Sequence, residues 1–222
     1  EITVRDWSSD VCSSDLQTPD TPQKAWAYRP VDQASWEDLA WRGDTLDKAY
    51  GTHERQATRM EPDSKLHLTY FSKGEVSRIR KKSSPRQRAE LLKQAFGKFT
   101  LPEVVVEVSH AEIAGRSNIH HHAGLVLMLK DDEAKQTLVC ERLQVIQNIR
   151  KRRGGKEGDG QFWLDRQPHI TIGRVDGFNQ VEPEKLVRTI NETLQEMGGL
   201  AIRLGGVVIQ PGDLIVPSRR QN

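Results

Sequence analysis

The chain has 222 residues, enough for one sizeable domain or two small ones. Charged residues make up 29% against 36% apolar, with a mean hydropathy of −0.66, the profile of a soluble globular protein. No apolar run approaches the roughly 20 residues of a membrane span, and no basic start followed by an apolar stretch marks a signal peptide, so the expected location is cytoplasmic, with no membrane partner.

The first residues stand apart. The run Asp6-Trp7-Ser8-Ser9-Asp10-Val11-Cys12-Ser13-Ser14-Asp15-Leu16 reads like the translation of a sequencing-adapter oligonucleotide, so residues 1–16 are set aside as foreign and disordered. Residues 17–24 are Pro/Thr/Gln-rich and read as a disordered linker. The first 16 residues hold one basic and four acidic side chains. The formal charge of +2 for the whole chain therefore becomes +5 for the remainder, a balance compatible with a nucleic-acid partner. Cys140 is then the one cysteine left, which rules out an internal disulfide and fits a reducing compartment. One domain is expected over residues 25–215, with 216–222 as a tail.

In chain order, Ala25 to Arg29 predicts a strand stopped by Pro30. Asp32 or Ser35 is placed to cap a weakly periodic helix towards Tyr50. Leu66 to Phe71 predicts a strand, followed by Gly74-Glu75-Val76 and the basic run Ser77 to Arg88. Pro85 opens a helix whose apolar residues Ala89, Leu91, Leu92, Ala95 and Phe96 recur at helical spacing, and Gly97 ends it. Val104 to Val108 and Gly124 to Leu129 predict neighbouring strands, joined by a long connection over His110 to His122. A helix follows from about Asp132 to Ile149, and then a basic loop from Arg150 to Lys156. Gln167 to Val175 predicts another strand. Glu182 to Met197 predicts a helix with Pro183 in its first turn and Gly198-Gly199 after its end. Leu200 to Ile209 supplies the last strand.

Two of these strands share a pattern. Leu66-His67-Leu68-Thr69 and Pro168-His169-Ile170-Thr171 each carry a histidine and a threonine two residues apart, which a strand turns to one face. Seven histidines and twelve threonines among 222 residues yield about 0.4 such matches by chance, so the spacing alone is a weak signal. The strand context and the separation of 102 residues, about one lobe, strengthen it. Each motif strand precedes a helix and then further strand, which predicts two similar lobes facing one cleft. Opening a cyclic phosphodiester needs a base to activate water and an acid to protonate the departing sugar oxygen. Histidine serves in either role near neutral pH. Threonine hydroxyls can donate to non-bridging oxygens as charge gathers on them. No cofactor or metal is called for. The run His120-His121-His122 makes a poor metal site, because neighbours on a strand alternate faces.

With Gly74-Glu75-Val76 after the first motif and Ile172-Gly173-Arg174-Val175 after the second, the chain resembles the 2H (two-histidine) phosphoesterases. More narrowly, it is similar to the LigT-like 2′-5′ RNA ligases, or RNA 2′,3′-cyclic phosphodiesterases. The resemblance spans roughly residues 25–210. It implies an α+β, bilobal, pseudo-symmetric fold with two antiparallel sheets around a central cleft and helices outside. It implies an enzyme that hydrolyses RNA or nucleoside 2′,3′-cyclic phosphates to the 2′-phosphate without metal, with 2′-5′ RNA ligation as a related activity; a monomer is expected. Carried onto this chain, His67 and His169 are the catalytic pair, and Thr69 and Thr171 hold the phosphate. Tyr70 and Phe71 are candidates to stack a base, with core packing as the alternative for Phe71, and Arg150, Arg152 and Arg153 are candidates for further RNA contacts, with a solvated face as their bland alternative. Arg174, three residues beyond Thr171, is assigned to the opposite face, and Cys140 to an inert helical position. The competing readings are a non-catalytic RNA-binding module using the basic segments and a 2′-5′ oligonucleotide phosphodiesterase.

Overall fold

The computed structural model describes residues 24–32, 35, 58–60, 66–79, 83–97, 102–117, 122–152, 166–176, 183–211 and 214–215. The segment set aside as foreign, the linker, nearly all of the helix expected towards Tyr50, Arg153 and the tail lie outside them. Within the described residues the strands are β1 (Trp26–Pro30), β2 (Thr58–Met60), β3 (His67–Phe71), β4 (Val104–Ser117), β5 (His122–Leu129), β6 (His169–Asp176), β7 (Leu200–Leu204), β8 (Val208–Gln210) and β9 (Leu214–Ile215). The helices are α1 (Lys73–Ile79), α2 (Pro85–Phe96), α3 (Glu133–Arg152) and α4 (Pro183–Glu196).

The expected pair of sheets is corrected here. All nine strands belong to one sheet in the order β7-β4-β5-β6-β3-β1-β8-β9, with β2 pairing with β6 beside β3. Every pairing is antiparallel. The His-x-Thr strands β3 and β6 join at the middle of that sheet, and each half mixes strands from both expected lobes, since β4 and β5 lie on the β6 side and β8 and β9 on the β3 side. Backbone hydrogen bonding continues across the join, so no cleft between sheets separates the two motifs. Local pattern cannot reveal this, because the bond joins residues about a hundred positions apart.

Local chemistry explains the helices. Ser84 caps α2, accepting from the Gln87 amide while the Gln87 side chain accepts from Ser84 N–H, and Pro85 fills the first turn. Asp132 Oδ1 accepts from Lys135 N–H at the start of α3. After α4 the chain turns through Gly198 and Gly199 at φ 74° and 113°, a left-handed region that a side chain would strain, and Gly199 N–H reaches Leu194 O.

Three further expectations change. The basic run after β3 begins as a helix, α1. The segment expected as a long connection after Val108 continues as strand to Ser117, held by β5 along its length. The last strand is split into β7 and β8 around Gly205-Gly206.

The core lies between the sheet and its helices. Leu68, Ile170, Leu127 and Ile172 meet Leu92, Phe96, Leu138, Val145 and Ile146 within one cluster, each at most 2% exposed. Among the described residues no helix is long and apolar enough to cross a membrane.

Candidate active site

The site follows from the register of β3 and β6. Leu68 pairs with Ile170, antiparallel. One residue to either side, the same register sets His67 opposite Thr171 and Thr69 opposite His169. Leu68 and Ile170 are each 1% exposed and point into the helix layer, so the four polar side chains share the other face. They form a four-cornered array with the histidines on one diagonal and the threonines on the other. Diagonal neighbours on adjacent strands stand ~7–8 Å apart, enough to hold a phosphoryl group between two imidazoles. The threonines are buried, at 8% and 6% exposure, while both histidines are partly exposed. The hydroxyls thus form a floor and the imidazoles rise above it.

The two histidines occupy unlike surroundings. His169 Nδ1 lies 2.9 Å from the Gln167 carbonyl oxygen. A carbonyl only accepts, so Nδ1 carries the proton and the neutral ring turns its Nε2 lone pair outward. Burial, the Arg166 guanidinium and the proximity of His67 lower the His169 pKa to about 4, against the raising effect of the Gln167 bond. At neutral pH the His169 ring is uncharged, with Nε2 as its accepting nitrogen. His67 instead stands edge-on to two aromatic rings of β1, Trp26 at 4.8 Å and Tyr28 at 5.2 Å between centroids.

Behind the array lies a buried ionic network. Glu75 of α1 is fully buried. Its carboxylate accepts from the Ser72 amide at 3.0 Å, from Arg142 of α3, and from Arg166 at 3.0 Å. Arg166 stands three residues before His169, so Glu75 anchors the cation that acts on the imidazole. Nearby, Arg29 of β1 donates to Tyr70 Oη at 3.1 Å and to Glu141 of α3, and the Tyr70 hydroxyl donates to Glu141. Burial raises the Tyr70 phenol well above its usual pKa, so it stays protonated as a donor.

Among the residues expected at the site, His67, Thr69, His169 and Thr171 come together on one face. Tyr70 does not. It is 1% exposed, its ring meets Phe96 edge-on, and its hydroxyl is held by Arg29 and Glu141 on the helix side, away from the array. Arg150 and Arg152 sit in the last turn of α3 rather than in a loop, and Arg152 donates to the Gln94 carbonyl of α2. Both α2 and α3 pack on the Leu68 and Tyr70 side of the sheet, which puts these cations behind the array, not beside it. Cys140 is free and exposed on α3. Trp26, Tyr28, Glu75 and Arg166 are the residues that reading the motifs alone missed. The period-2 spacing of Trp26 and Tyr28 on β1 was the available signal for the first two.

The architecture is one antiparallel sheet backed by helices, with paired central strands that each present His-x-Thr on the open face. The solved structures that share it do so at low identity. Usb1 of Kluyveromyces marxianus matches over 87% of this chain and 97% of its own, with a TM-score of 0.56 and 12% identity. The conserved protein of unknown function ATU0111 from Agrobacterium tumefaciens matches over 86% and 84%, with a TM-score of 0.57 and 15% identity. TT0787 of Thermus thermophilus matches over 88% and 96%, at 0.51 and 10%. No protein-family model and no curated protein sequence matches the chain. At these identities the likeness is one of fold.

Proposed function

We propose that this protein is a phosphoesterase that opens nucleoside and RNA 2′,3′-cyclic phosphates to 2′-phosphates by paired-histidine acid–base catalysis. The observation that carries the reading is the crossed array, with histidines on one diagonal and threonines on the other. Its counterpart is a phosphorus with attacking and leaving oxygens on one axis and two non-bridging oxygens off it.

In this reading His169 Nε2 takes a proton from water as the water oxygen bonds to phosphorus. The P–O3′ bond breaks, and His67 delivers its proton to the departing O3′. Thr69 and Thr171 donate to the non-bridging oxygens, where charge builds. The product keeps its phosphate on O2′, and the two imidazoles exchange protons with solvent before the next turnover. A ribose 5′-hydroxyl in place of water would give a 2′-5′ linkage by the same displacement, so ligation needs no further group. Every role is filled by a protein side chain, and the activity is expected without added metal. The Usb1 fold has been solved with uridine monophosphate bound, which is in keeping with a nucleotide ligand here.

The test is turnover of a nucleoside 2′,3′-cyclic phosphate in EDTA. His67→Ala and His169→Ala are each expected to lower kcat by about 10²–10⁴-fold, and Thr69→Val or Thr171→Val by on the order of 10²-fold. No product from the intact protein, or full activity in either histidine variant, removes the proposal. The alternative of a passive RNA-binding module has less support, because the basic side chains of α3 lie on the helix side of the sheet.

A further inference from the structure

His67 packs against two rings of the neighbouring strand. The β1–β3 register sets Pro30 opposite His67 and Tyr28 opposite Thr69, so Tyr28 is the diagonal neighbour of His67 on the face of the array. Trp26 shares that face, since Trp26 and Tyr28 pair in regular register with Gln210 and Val208 of β8. Trp26 stands at the far end of β1 from Pro30, roughly 13 Å along the strand, yet its ring centroid is 4.8 Å from that of the imidazole. The Trp26 and His67 side chains therefore lean towards each other along the strands. The three rings close a triangle. Trp26 and Tyr28 stack with centroids 4.3 Å apart and planes 20° apart, and the imidazole meets them at 73° and 64°, with its centroid 5.2 Å from Tyr28. An imidazole over the outer face of either ring would stand much farther from the other ring. The near-equal distances set it against the side of the stack, so a swing of His67 towards β1 meets two rings. The Lys73 ammonium, 5.8 Å from the Trp26 centroid, packs on the tryptophan in turn. This cluster is not part of the core. Trp26, Tyr28 and His67 are all partly exposed, whereas the edge-on pairs Tyr70–Phe96 and Phe71–Phe96 are at most 1% exposed.

We propose that Trp26 and Tyr28 are positioning residues for His67, a stacked wall that confines the imidazole to the orientation in which it meets the departing oxygen. The role of His67 rests on the phosphoesterase reading, and the way it is held rests on the ring geometry alone. Proton delivery to O3′ needs the imidazole aligned with the breaking P–O3′ bond, and a small misplacement is costly in rate. On β6 the Gln167 carbonyl orients His169 through Nδ1. On β3 the stack confines His67 from the side. A wall that acts through His67 affects the chemical step more than the affinity for substrate.

Crystal structures and a kinetic double-mutant cycle test this together. His67 is expected in one rotamer in the wild type and in Trp26→Phe, which keeps a ring, and in a rotated or divided one in Trp26→Ala. With a nucleoside 2′,3′-cyclic phosphate, Trp26→Ala should lower kcat by about 10–10²-fold with KM within about twofold of the wild type, and Trp26→Phe should restore most of kcat. In a His67→Ala background Trp26→Ala should lower kcat little further, because the group that the wall holds is gone. Tyr28→Leu carries the same expectations as Trp26→Ala and serves if the tryptophan variant does not fold by circular dichroism. A His67 rotamer unmoved in both Trp26→Ala and Tyr28→Leu overturns the wall. So does a kcat loss that adds in full to that of His67→Ala, or a change confined to KM. The underlying reading fails separately. Absence of turnover in the wild type removes the reaction and leaves the wall to be judged by the rotamers, whereas turnover that is undiminished in both ring variants keeps the reaction and removes the positioning role.

Discussion

At the residue scale, the two histidines share a backbone motif but not a chemistry. His169 has its proton fixed on Nδ1 by the Gln167 carbonyl, and its charged form is opposed by burial and by Arg166. The pKa near 4 then sets the acid side of the pH profile. Activity is expected to rise with pH through that acid range, well below the ordinary histidine value of about 6.5. Removing the Arg166 charge with Arg166→Gln takes away a positive neighbour, so protonation of His169 becomes easier and the acid limb should move to higher pH. The check is a kcat/KM profile of both proteins, taken where each is folded. An acid limb that stays in place in the variant would mean that Arg166 does not tune the imidazole. The same shift has a stability counterpart. The unfolded chain takes up the proton first, so stability should decline as pH falls from about 6.5 towards 4.

At the scale of elements, α1 ties the motif strand to the layer behind it. Glu75 is fully buried against Arg142 and Arg166, so losing its charge strands two buried cations. Glu75→Gln is expected to destabilise the fold by about 3–5 kcal/mol, measured by urea unfolding. A loss below about 1 kcal/mol would mean that the network contributes little beyond packing. Glu75 was visible in the sequence beside the first motif, but its role was not, because its partners lie 67 and 91 residues away. The His-x-Thr strands were legible because period 2 fixes a face locally and apolar residues alternate with the polar ones. Tyr70 was misread from its ring, although its parity with Leu68 already put it on the apolar side. The run Arg150 to Arg152 looks alike as loop or helix end, since both residue types extend helices readily. Strand β4 continues through polar residues after Val108 because β5 supplies its hydrogen bonds, a pairing that hydrophobic pattern does not announce.

At the scale of the molecule, the sheet is joined at its middle about one residue pair. Strand β3 leads through α1 and α2 to β4, and β6 leads through α4 to β7, with Leu68 and Ile170 facing each other at the centre. That pairing brings two imidazoles to one place, and the unlike sequences around them keep one uncharged at neutral pH and leave the other beside aromatic rings. No local segment contains this site, and the join between the halves creates it. The seam should therefore affect function as well as stability. Leu68→Ala and Ile170→Ala each remove a side chain that is 1% exposed and should cost about 2–5 kcal/mol. Ile190→Ala on α4, at 2% exposure, falls in the same range but lies outside the join. With all three variants folded at low temperature, kcat/KM for a nucleoside 2′,3′-cyclic phosphate should fall at least tenfold in the two seam variants and hold near the wild-type value in Ile190→Ala. Equal activity across the three would show that the histidines are placed by something other than the register of β3 on β6. A selective loss at the seam would tie the crossed array to the single pair of residues beneath it.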